Sequence, residues 1–111
     1  MRNSVPQDPV SCLTGPVGQL LQAHRPELLQ AAARYDIRNV RVFGSTARNE
    51  DGPDSDLDLL IDLPDGIGLL DIIGIRLDME DILGIHVDLV PETWLKPRVR
   101  ARVDVSEVIP L

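Results

Sequence analysis

An α/β (α+β) fold, with a small mixed β-sheet flanked by helices, is what this sequence of 111 residues predicts. Three observations lead there. Residues 39–44 and 56–63 alternate apolar and polar side chains with the period of a strand, and residues 85–90 follow as a third short strand. Between the second and third, Leu69–Leu83 carries apolar residues at helical spacing with Asp71, Asp78, Glu80 and Asp81 among them. The resulting order of helix, strand, strand, helix, strand is that of helices packed on one sheet.

Taken in order, residues 1–17 contain three prolines and no continuous apolar run, so they read as a flexible N-terminal leader, with the folded domain expected over residues 18–111. A helix can start at Val17 and continue or restart through "RPELLQAAARY". Pro26 there stands at a first-turn position where its missing N–H costs nothing. Leu28, Leu29, Ala32 and Ala33 are its expected apolar stripe. "NVRVFG" is the first strand, with Val40 and Val42 on one side and Arg41 and Phe43 on the other. Asp51-Gly52-Pro53 makes a turn, "DLDLLIDL" forms the second strand, and Pro64-Asp65-Gly66 ends it. Gly84 suits the C-terminal cap of the helix from Leu69, and Pro91 stops the third strand. The tail from Lys96 is weakly helix-like, since Val103 and Val105 favour a strand.

Charge narrows the function. Residues 50–92 hold thirteen acids against one base, Arg76, a local charge of −12 within a total of −7. Such a surface repels phosphate backbones and argues against direct nucleic-acid binding. The basic residues Lys96, Arg98, Arg100 and Arg102 gather near the C-terminus, where they read either as a solvated face or as a partner- or phosphate-binding run. Cys12 is the only cysteine, so no intrachain disulfide forms and a cytoplasmic location is expected. No membrane-spanning stretch is present.

The acids around the second strand suggest the chemistry. The strand period places Asp56, Asp58, Leu60 and Asp62 on one face and Leu57, Leu59 and Ile61 on the core side. Side-by-side carboxylates at a strand end are donors for Mg²⁺, and Asp88 in "HVDLV" becomes a third if the strands are neighbours. Three converging carboxylates can hold two cations about 3.5 to 4 Å apart and stabilise an in-line phosphoryl displacement. Gly44 and Ser45 supply the complementary half, since glycine lets the backbone approach a phosphate and the N–H groups after Ser45 can cradle it at a helix start. Arg48 is open between a phosphate ligand and an ion pair with Glu50 or Asp51. His86 reads as a structural neighbour of Asp88, and Asp62, two positions deeper, as structural or solvent-facing.

Gly44-Ser45, ten intervening residues and then "DLD" at Asp56 to Asp58 resemble the signature of polymerase-beta-like nucleotidyltransferases. The chain is identified as resembling their minimal nucleotidyltransferase (MNT) group over residues 28–102, with "VDLV" carrying the third acid. The resemblance implies ATP as substrate, phosphate contacts from Gly44 and Ser45, and Mg²⁺ at Asp56, Asp58 and Asp88. It also implies a role: such proteins act as antitoxins beside a HEPN-domain ribonuclease toxin, some by transferring AMP to a toxin tyrosine. The rival expectation is a non-catalytic antitoxin that neutralises the toxin by binding and occlusion.

Overall fold

Val40 and Val42 of β1 (Arg38–Phe43) turn into the core while Arg41 and Phe43 stay partly exposed, the alternation of a strand with one covered face. β2 (Leu57–Asp62) runs antiparallel to β1, and β3 (Val87–Pro91) runs parallel to β2. A parallel neighbour needs a crossover, which α3 (Leu69–Leu83) provides. A two-residue strand, β4 (Ile109–Pro110), pairs with the free side of β1, giving the order β3-β2-β1-β4 in the computed structural model, which describes residues 12–94 and 108–111. The small mixed sheet flanked by helices is thus the observed architecture.

The N-terminal helix is in fact two, α1 (Pro16–Ala23) and α2 (Arg25–Ala33), separated by His24. Pro26 stands in the first turn of α2, as its sequence position suggested. The buried stripe of α2 is Leu28, Ala31 and Ala32, at i, i+3 and i+4, whereas Ala33 is exposed and Leu29 only half-buried. α3 buries Ile72, Ile75, Met79 and Leu83 at the same kind of spacing and leaves Leu69, Leu70 and Leu77 exposed. Gly68 N–H donates to the Asp71 carboxylate at its start, and Gly84, at φ 72°, closes its end with an N–H to the Glu80 carbonyl. No helix among the described residues is long and apolar enough to cross a membrane.

Two expectations need correcting. The leader expected over residues 1–17 does not extend to residue 17, because Leu13 and Val17 are buried in the core with Leu21. Apolar burial, which the proline count obscured, ties this segment down. Leu60, assigned to the open face, is also buried at 3 % exposure. β2 is a central strand, and the 3-10 turn Glu92–Trp94 packs against it, so its second face is open only at its two ends, at Asp58 and Asp62. The expected tail helix and the basic run at Lys96, Arg98, Arg100 and Arg102 lie outside the described residues.

Candidate active site

Register brings the predicted residues together. Phe43 pairs with Asp58 across β1 and β2, and Asp58 pairs with Asp88 across β2 and β3. Gly44, one residue beyond β1, therefore lies against Asp58. Its φ is +74°, and a Cβ there would stand 2.5 Å from Asp58 Oδ2. Only glycine satisfies both the left-handed backbone and the close approach. The chain then turns rather than entering the expected helix. Arg48 N–H donates to the Gly44 carbonyl at 3.2 Å and Glu50 N–H to the Ser45 carbonyl at 2.9 Å. Asn49, at φ 59°, ends the turn before a helix can propagate.

Long-range bonds hold this turn in place. Thr14 N–H donates to Asn49 Oδ1 at 2.9 Å, and Asn49 Nδ2 donates to the Cys12 carbonyl at 3.3 Å. The buried Asp51 accepts the N–H groups of Val17 and Gly18 at 2.8 and 3.2 Å through Oδ2. It caps α1 from 34 residues away. Gly15, the residue before the helix, has no side chain to do so, and a Cβ there would collide with the Asp51 carboxylate. One acid of the acidic run is thereby structural. The only sequence signal for it was a helix start, Gly15-Pro16, without a capping side chain.

At the acid end, donor atoms of Asp56, His86 and Asp88 lie within 4.8 Å of one another. Asp58 sits beside them, its carboxyl pushed up to about 6 by burial first, then by the charge of Asp88, a hydrogen bond with Asp88 and the charge of Asp56, with Arg48 opposing. The three expected acids converge, and His86 joins them. Of the two alternatives for Arg48 the structure shows the ion pair, with Nε donating to Glu50 at 2.7 Å, and its charge also reaches Asp58. Asp62 accepts from Asn39 at 2.8 Å and from Arg41 at 2.9 Å, and the Asn39 hydrogen bond is the main reason its carboxyl lies below the usual range. It serves the sheet rather than the cluster. A groove of about 460 Å³, lined by Asp58, Asp88, Leu69, Ile73 and Arg76 among others, runs from the acids along β3 and α3.

Crowded oxygen donors with little opposing positive charge fit a hard divalent cation. Without one, the raised Asp58 carboxyl favours the folded state below its unfolded value of 3.8, and this advantage is lost as pH rises through about 6. Asp58→Asn should therefore stabilise the metal-free protein by about 1 kcal/mol above pH 6, a figure kept small because solvent screens a half-exposed group, and by nothing near pH 4. Urea unfolding in chelator at the two pH values measures this. A difference independent of pH would contradict it.

Clustered carboxylates next to a glycine-serine turn, on a small mixed sheet, define the core of a polymerase-beta-like nucleotidyltransferase. The chain belongs to the nucleotidyltransferase domain family, whose profile matches residues 25–109. It is 41% identical to a solved protein classed as a minimal nucleotidyltransferase, with a TM-score of 0.74 and coverage of 97% of this chain and 100% of that one. It is 37% identical over 93 residues to the protein adenylyltransferase MntA of Thermococcus cleftensis, covering 84% of this chain and 90% of that protein. A toxin–antitoxin crystal structure with AMP-PNP has a TM-score of 0.65 at 16% identity, covering 77% of this chain and 69% of that one, a likeness of fold alone.

Proposed function

We propose that this chain is an antitoxin that transfers AMP from ATP to a tyrosine hydroxyl of a HEPN-domain toxin, in the cytoplasm and with Mg²⁺. The observation that carries the reading is the placement of Asp56, Asp58 and Asp88 against the Gly44–Ser45 turn at one end of the sheet. Kinship with MntA supports protein as the acceptor, and the acidic surface disfavours a nucleic acid. The toxin partner is supported by the fold shared with toxin–antitoxin structures and by the resemblance of the motif, which also indicates HEPN and tyrosine.

In this reading Gly44 gives the triphosphate close backbone approach, Ser45 and the turn after it offer donors, and Arg48 adds positive charge. Asp56, Asp58 and Asp88 would hold Mg²⁺. Bound there, the cation supplies Lewis acidity, lowering the pKa of the acceptor hydroxyl and offsetting phosphate charge. The tyrosine oxygen attacks the α-phosphorus, a new P–O bond forms, and the bond to the bridging oxygen breaks. Pyrophosphate leaves with that electron pair, and the hydroxyl proton passes to the carboxylate cluster. The fixed acids and the turn contribute by holding the reacting atoms in line, so that little ordering remains at the transition state.

Calorimetry tests the binding half of this proposal. ATP should bind with Mg²⁺ present and at least about ten-fold more weakly in excess chelator, since the acids alone repel the triphosphate. Equal affinity in chelator would remove the acids from the metal site.

A further inference from the structure

His86 lies between two carboxylates. Its Nδ1 is 2.9 Å from Glu80 Oε2, and its Nε2 is 3.0 Å from Asp88 Oδ1. The same Glu80 oxygen accepts the Val87 N–H at 2.9 Å, so Glu80, on α3, is tied to the first residue of β3. The His86 carbonyl in turn accepts the Leu57 N–H at 3.1 Å, which fixes residue 86 against the start of β2. The ring is thus held on its backbone side and from behind. Only one of its contacts faces the acid cluster.

We infer that His86, backed by Glu80, is a positioning residue that fixes the Asp88 carboxylate for cation binding, and is not itself a ligand. This rests on the metal reading above. With its proton on Nε2, the ring donates to Asp88 Oδ1 and has no lone pair there for a cation. With Oδ1 engaged by Nε2, the plane of the Asp88 carboxylate is set before any ion arrives. Carboxylate ligands are commonly oriented by such outer hydrogen bonds, and losing one typically costs about 10- to 100-fold in metal affinity or activity. Sequence alone hid the arrangement, because Glu80 lies on α3 and His86 just before β3, and the turn at Gly84 brings them together.

Mn²⁺ binding to the whole protein, without nucleotide, tests it. His86→Ala and His86→Phe should weaken Mn²⁺ about 10- to 100-fold, while His86→Gln, whose amide N–H reaches roughly the place of Nε2, stays within a few-fold of the wild type. In transfer assays the Mg²⁺ concentration for half-maximal rate should rise in the same order, with the rate at saturating Mg²⁺ much less affected. Glu80→Gln, which keeps an acceptor for Val87 N–H, should show a smaller loss and carries the test if the His86 variants melt early. Unchanged Mn²⁺ affinity in these variants would overturn the inference. So would equal losses in His86→Gln and His86→Phe, which would make ring volume the cause, or a directly bonded ¹⁴N signal in pulsed EPR of the Mn²⁺ complex. A wild type that binds no divalent cation would overturn the metal reading with it.

Discussion

The Asp56→Asn, Asp58→Asn double variant should lose AMP transfer by a factor of about a thousand or more, while keeping its fold and its partner. The substitution preserves shape and removes two negative charges from the acid cluster. Loss of the cation's transition-state stabilisation, worth several kcal/mol, is of the order of the ~4 kcal/mol that a thousand-fold effect requires. Destabilisation cannot explain the result, because easing the repulsion around Asp58 favours the metal-free fold at neutral pH. Transfer should be followed with labelled ATP, and partner binding by calorimetry in the same buffer. Transfer retained within ten-fold would mean that these acids do not hold the catalytic cation.

Gly44→Ala should be nearly as damaging to activity, through geometry instead of charge. The new Cβ would stand 2.5 Å from Asp58 Oδ2 on a backbone at φ +74°. A left-handed non-glycine residue costs about 1 to 3 kcal/mol. The collision must also move Asp58 or the turn, and displacement of a reacting group by about 1 Å can cost 100-fold in rate. Gly66→Ala is the internal control, since Gly66 has φ +87° but nothing within 4 Å of its would-be Cβ. Both variants should lose stability, measured by urea unfolding, and only Gly44→Ala should also lose transfer. Equal transfer in the two would show that the approach of Gly44 to Asp58 has no functional weight.

What the sequence made legible was local and periodic. The strand period put Asp56 and Asp58 together, the apolar spacing marked Leu69–Leu83, and Gly84 carried the left-handed cap that its position called for. The convergence of Asp88 with Asp58 needed only that β3 be the neighbour of β2, which a right-sized crossover helix makes natural. What stayed hidden depends on contacts between distant residues. Asp51 looked like one more acid of a turn, yet it caps α1 and locks the turn after Gly44 to the N-terminal segment. The burial of Leu13 and the bonds of Asn49 to Cys12 and Thr14 are the same contact seen from other residues. The two-residue β4 is too short for any periodic signal. The turn after Gly44 failed to become a helix because left-handed Asn49 stops it, and those tertiary bonds to Asn49 favour that conformation.

The rival reading, neutralisation by occlusion alone, predicts the same fold, acids and complex, so it must be separated by product. Intact-mass spectrometry of the cognate toxin, co-expressed with this chain, is the direct measurement. The account predicts a toxin heavier by whole AMP units, with the added mass on tyrosine by fragmentation, and an unmodified toxin when the Asp56→Asn, Asp58→Asn variant is co-expressed at the same level. A toxin that is silenced while its mass stays unchanged, or that is silenced equally by the double variant, would contradict it.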